Sequence, residues 1–156
     1  MHLPDGSTLA VPHNAGLPAQ ASLQAPHDPD ADPGAEFAGP SADIPLGRLC
    51  GARSGDKGGD ANAGLWATSP RAYAWLRRYL TTDRLRELLT EAAALKIDRY
   101  ELPNLLAVNF VVHGLLAPGV SATTRPDPQA KGLGEYLRSR IVTAPADLGT
   151  HGPVGA

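Results

Sequence analysis

The hydrophobic and polar pattern divides the chain near residue 46. Beyond that point, Leu46-Gly-Arg-Leu-Cys-Gly-Ala52 reads as a short strand and Asn62-Ala-Gly-Leu-Trp-Ala67 as a second. Ser69-Pro70 supplies an N-cap followed by proline at the first helical position, and Ala72, Trp75, Leu76 and Tyr79 follow at helical spacing. Thr81-Thr82-Asp83 restarts the pattern, with Leu85, Leu88, Leu89 and Ala92 on one face, so a break is expected near Leu80. Leu95 to Leu102 alternates with period two, as a strand buried on one face does. Leu105 to Val112 is apolar and β-branched, a central strand with Asn109 as its polar interruption. Val120 to Arg125 reads as a further strand that Pro126 and Pro128 stop, and Leu133, Tyr136, Leu137 and Ile141 fall on a last amphipathic helix. The resulting order predicts an α+β fold: a ferredoxin-like sandwich of split βαβ type, with helices on one face of a mostly antiparallel sheet.

Composition separates what precedes this region. Residues 1–45 hold eight of the fifteen prolines, one aromatic residue (Phe37), six acids and neither Lys nor Arg, which reads as a disordered linker. Within it, Asp5-Gly6 between short apolar pieces fits a hairpin over residues 1–12, which we read as the last hairpin of a missing domain. The expected organisation is a linker over 1–45, a folded domain over 46–142 and a flexible Pro/Gly-rich tail over 143–156.

Charge changes the picture modestly. Residues 46–156 carry all 14 Lys and Arg against 10 Asp and Glu, a formal +4 within a chain of net charge −2. That is short of the clustered basic face of a nucleic-acid binder, but it favours an anionic small molecule. Cys50 is the sole cysteine, which excludes an internal disulfide and paired-cysteine zinc sites and fits a reducing cytoplasm. No apolar run approaches the ~18 residues of a membrane span, so no membrane partner is expected.

The densest candidate chemistry is Arg53-Ser54-Gly55-Asp56-Lys57-Gly58-Gly59-Asp60-Ala61-Asn62. One reading is a nest of backbone N–H groups, with Arg53 and Lys57 closing on a phosphate or carboxylate and Asp56, Asp60 or Asn62 orienting it. The other is a structural hairpin whose glycines satisfy turn geometry. Familiar motifs are absent. Lys57 is followed by Gly58, which breaks the P-loop pattern, and Gly51-Ala-Arg-Ser-Gly55 puts the serine one place late for a hydrolase elbow. Asp28, Asp30 and Asp32 fail as a calcium loop because Pro33 displaces the glycine, so neither a metal nor a cofactor is expected. Cys50 reads as a small buried hydrophobe or a thiolate, and His113 as a strand-end histidine or a general base. Glu101 and Asn104 flank Pro103 at a strand end and Asn109 lies in a buried-looking strand; they read as completing the site, or, for Asn109, as a backbone hydrogen bond that fixes a neighbouring loop. An enzyme of hydratase or lyase type would use Asp56 or Glu101 as its general acid/base.

Several of these segments together resemble the small C-terminal domain of the acyclic terpene utilisation (AtuA) family. They are Ala52 to Asn62, Arg99-Tyr-Glu-Leu-Pro-Asn-Leu105, Asn109-Phe110, and Arg125, Asp127 and Lys131, spanning roughly Leu46 to Ile141. The resemblance implies a ferredoxin-like fold and an association with breakdown of acyclic terpenoids or other branched acyl-CoA compounds. In longer members a large domain precedes this one, which makes such a domain or subunit an expected partner. Two departures stand out: Ala117-Pro118-Gly119 replaces several glycines, and Ala130 stands where the family places glycine before the lysine. The functional expectation is an accessory domain that binds an acyl-CoA, a carboxylate or a partner subunit through Arg53, Ser54, Gly55, Asp56, Lys57, Gly58, Asp60, Asn62, Asn104 and Asn109. The alternatives are an enzyme acting on an acyl-CoA and a structural module that forms a homo-oligomer through an exposed sheet edge.

Overall fold

The computed structural model describes residues 37–150 together with Ser7; the hairpin expected over 1–12 lies, but for Ser7, outside the described residues. Six strands and three α-helices follow in the order β1 (Ser41–Pro45), β2 (Cys50–Lys57), β3 (Asp60–Ala67), α1 (Pro70–Tyr79), α2 (Thr82–Leu88), β4 (Ile97–Leu102), β5 (Ala107–Val112), α3 (Leu133–Ser139) and β6 (Ile141–Pro145). Four strands form one sheet in the order β2-β3-β5-β4, every neighbouring pair antiparallel. Since β3 and β4 are both antiparallel to β5, they run parallel to each other. The connection through α1 and α2 is therefore a split βαβ with β5 inserted.

Local signals act where they were expected. Ser69 caps α1, its Oγ accepting from the Ala72 N–H at 3.1 Å, and Pro70 occupies the first turn. Leu80, with ψ of 72°, ends α1; Thr81 then caps α2 through a 3.1 Å bond from the Arg84 N–H. Ala72, Trp75 and Leu76 bury one face of α1, and Leu85 and Leu88 one face of α2. On the sheet, Ala61, Ala63 and Leu65 of β3 and Val108, Phe110 and Val112 of β5 meet that layer. The helices pack on this one side: α1 on β3 and β5, α2 on β4, α3 on β2.

Four differences from the sequence pattern have physical causes. First, Ser41–Pro45 is a strand, although it lies within the proline-rich segment. It pairs with β6 from Ser41↔Pro145 to Pro45↔Ile141, and its terminal proline removes no interior ladder bond. Second, Ile141 begins β6 instead of ending the last helix. Ser139 Oγ donates to the Tyr136 carbonyl at 2.7 Å as α3 closes, and the β-branched run Ile141-Val142-Thr143 suits an extended chain. Third, Val120 to Arg125 forms no strand, because the Ala122 and Thr123 N–H groups both turn back to the Gly119 carbonyl. Fourth, Leu46–Arg48 is a 3₁₀ turn, and the strand begins at Cys50.

Candidate functional site

The glycine-rich segment is itself a hairpin. β2 and β3 pair without interruption from Cys50↔Ala67 to Lys57↔Asp60, leaving Gly58-Gly59 as the two-residue turn, with Gly58 at φ +68°. Extended backbone sends successive N–H groups in opposite directions, so Arg53 to Lys57 cannot form a nest, and any anion here is held by side chains.

Period-two alternation then splits the candidate residues between two faces. Ser54 and Asp56 share a side with Cys50 and Ala52, facing the helices. There Ser54 Oγ accepts from the Gly134 N–H at 2.8 Å and donates to the Lys131 carbonyl at 3.3 Å, tying β2 to the start of α3. Asp56 lies on this same helix side. Among the described residues the other face carries no helix, and cross-strand register arranges it in rows. Gly51, Trp66, Ala107 and Leu102 form the first, and Arg53, Gly64, Asn109 and Tyr100 the second. Gly55, Asn62, Val111 and Asp98 form the third, and Lys57 and Asp60 lie beyond it at the hairpin tip.

Asn62 and Asn109 join across this open face. Asn62 Nδ2 donates to Asn109 Oδ1 at 2.8 Å and to the Phe110 carbonyl at 3.2 Å. A Cβ on Gly64 would lie 3.4 Å from that Oδ1, so the glycine leaves the amide pair its room. Asn109 Oδ1 thus takes its partner from a side chain of the hairpin, not from a neighbouring loop.

A third cation arrives from far along the chain. A Cβ on Gly55 would stand 3.3 Å from Nζ of Lys131, so the ammonium reaches round the β2 edge and sits over Gly55, with Arg53 and Lys57 two residues to either side. Its backbone is fixed locally. Asp127 accepts from the Lys131 N–H at 2.8 Å and the Gly132 N–H at 2.9 Å, and Ala130 adopts φ +51°. That left-handed conformation is one that glycine adopts without strain. Arg125 forms a forked pair with Glu91. Neither Arg53, Lys57 nor Lys131 makes an ion pair with a described residue.

At the hairpin end, His113 stands between two carboxylates. As an imidazolium it donates from Nδ1 to Asp60 Oδ2 at 2.9 Å and from Nε2 to Asp98 Oδ2 at 2.8 Å. Asp60 Oδ1 also accepts from the Gly114 N–H at 2.8 Å, and Lys96 lies 3.2 Å from Asp98. The Asp98 hydrogen bond, followed by that of Asp60, raises the His113 pKa above its usual value against the opposing effect of burial. The Gly114 N–H chiefly lowers that of Asp60, and the His113 hydrogen bond chiefly lowers that of Asp98. With both nitrogens engaged, His113 is a strand-end clamp and has no free base. Asp98 was not singled out by spacing, since its role depends on which strand lies beside β4. The ring stands between the carboxylates, and among the described residues no cluster of three or more His, Cys, Asp or Glu is placed to hold a metal.

Glu101 and Asn104 are not brought to this face. Glu101 takes the helix side of β4, 2.8 Å from Arg99 and 3.8 Å from Arg77. Arg99 also donates Nε to the Leu80 carbonyl at 2.8 Å and its terminal nitrogen to the Arg77 carbonyl, closing the C-terminal end of α1. Asn104 is exposed in the 3₁₀ turn Pro103–Leu105, at the end of the sheet opposite Gly58. Cys50 is buried, and desolvation pushes its thiol up to about 12, so it is no thiolate.

The family model described as AtuA ferredoxin-like domain matches residues 44–143, a span that contains the hairpin, the open face and all three helices. No curated protein and no solved structure matches the chain.

Proposed function

This chain belongs to the AtuA ferredoxin-like domain family, and we propose that it is an accessory binding domain for an anionic ligand in acyclic terpenoid or branched acyl-CoA catabolism. The observation that carries this reading is the convergence of Arg53, Lys57 and Lys131 around Gly55 on a sheet face that carries no helix among the described residues. Each is an exposed cation with no acidic partner among the described residues, and Asn62 beside them offers a hydrogen-bonding amide. A CoA thioester presents phosphates at such a surface, and a free acid presents a carboxylate. Exposed ion pairs contribute at most about 1 kcal/mol each, so three give weak, salt-sensitive binding.

Binding is favoured over acid/base catalysis by where the two acids stand. Asp56 faces the helix layer and Glu101 is held between Arg99 and Arg77, both away from the cations. We place the chain in the cytoplasm, where CoA thioesters and a reduced Cys50 belong. Among the described residues no helix is long and apolar enough to cross a membrane.

Calorimetric titration with a CoA thioester and with a simple carboxylate at low salt tests the reading. Binding of either is expected to weaken at least tenfold in Arg53→Ala/Lys57→Ala and to fade as salt rises. Unchanged affinity in that double variant, or no binding of any anion by the native chain, overturns it.

A further inference from the structure

The open face is graded from end to end. Along the β2 edge stand Lys57 and Lys131 toward the hairpin end and Arg53 in the second row, with Asp60 and Asp98 already engaged by His113. At the other end Trp66 is 40% exposed and Leu102 40% exposed in one row, separated only by Ala107, and Tyr100, 49% exposed, stands in the next. Leu105 extends the apolar end into the connection between β4 and β5. Gly51 and Ala107 complete the first row, so no charged side chain interrupts it. Gly55, under the Lys131 ammonium, and Gly51 are four residues apart on β2, about 13 Å, with Arg53 midway between them.

Resting on the reading of Arg53 and Lys57 as an anion site, we propose that this face binds an amphipathic anion in one direction. The head group lies at Lys131, Arg53 and Lys57, and an acyl chain runs over the sheet to Trp66, Tyr100 and Leu102. Charge complementarity fixes the head, and the apolar row gives the chain a surface on which to lose water. In the path between, Asn62 Nδ2 is engaged by Asn109 Oδ1 and the Phe110 carbonyl. Lys131 thereby becomes a head-group residue, and Gly55 is the position that lets its ammonium rest on the strand. The head is an anionic group, and the carboxylate of a free acid and the phosphates of a CoA thioester share this chemistry.

The test measures chain-length dependence in both head-group series. Decanoate is compared with hexanoate, and decanoyl-CoA with acetyl-CoA and with CoA alone, by calorimetry and by tryptophan emission. Trp66 is the exposed reporter, whereas Trp75 is only 7% exposed. In at least one series the ten-carbon member is expected to bind about tenfold more tightly than the shorter one, and the series that responds identifies the head group. Trp66→Ala/Leu102→Ala should abolish that difference while leaving binding of CoA or the short acid intact. Ile141→Ala, at an exposed apolar position on β6, should leave it unchanged. Equal affinity for long and short members overturns the directional proposal while the anion site stands; failure of every anion to bind overturns both. If Trp66→Ala/Leu102→Ala dissolves a self-associated species and leaves chain-length dependence untouched, the apolar row is an interface between copies and the proposal falls.

Discussion

Trp66 lies so close over Gly51 that a Cβ added to the glycine would stand 2.4 Å from Cε2 and Cζ2 of the indole. The two residues are register partners on β2 and β3, so the contact belongs to the sheet and positions the aromatic ring at the apolar end of the open face.

Gly51→Ala must therefore displace the indole or the strand. We expect a loss of about 1–3 kcal/mol, as for overpacking elsewhere, measured by chemical denaturation. Trp66→Ala should relieve most of the loss, giving a favourable coupling energy in the double-mutant cycle. Additive effects of the two substitutions would show that the ring moves aside freely.

The His113 clamp makes stability depend on pH with a defined sign. The folded pKa of His113 is raised above 6.5, so its contribution is fully present below that value and is lost as pH rises through the folded pKa. The folded pKa values of Asp60 and Asp98 are lowered below 3.8, so their contributions are present above that value and are lost as pH falls through the folded pKa values. The stability gap between the native chain and His113→Gln should be widest between those limits and narrow toward alkaline pH. High salt should shrink it, because all three side chains are about one-third exposed. Parallel stability curves for the two proteins from pH 5.5 to 8.5 (about one unit to either side of an ordinary histidine) would remove the clamp.

Arg99→Ala leaves the Leu80 and Arg77 carbonyls at the end of α1 without their donor and strips Glu101 of a partner. A loss of about 2–4 kcal/mol is expected from charged hydrogen bonds at a largely buried side chain. Arg99→Lys should recover less than half of it, because one ammonium cannot reproduce a planar fork aimed at three acceptors. Anion affinity should be unaffected in either variant that remains folded. A simultaneous loss of anion binding would place Arg99 in the site instead of in the scaffold.

Much of the fold was legible because its signals are local. Ser69-Pro70 and Thr81 announce their helix starts, Leu80 breaks the periodicity, and the alternation from Leu95 to Leu102 marks β4. Less of the site was legible. Arg53, Gly55, Lys57, Asn62 and Asn109 share the open face, whereas Ser54, Asp56 and Glu101 point to the helices and Asn104 lies at the far end. A one-residue step along a strand reverses the face, so nearness in sequence does not bring side chains to one surface.

The sequence by itself determined the type of most elements, the family, and the density of charge and glycine in the hairpin, since these follow from near-neighbour periodicity, capping and turn chemistry. Only the tertiary structure decided that Ser41–Pro45 pairs with Ile141–Pro145, that His113 joins Asp60 to Asp98, and that Lys131 returns to rest over Gly55. Each joins residues distant along the chain or on neighbouring strands. Such meetings are set by strand order and register, which arise from how the whole core is buried and which no short stretch of sequence encodes.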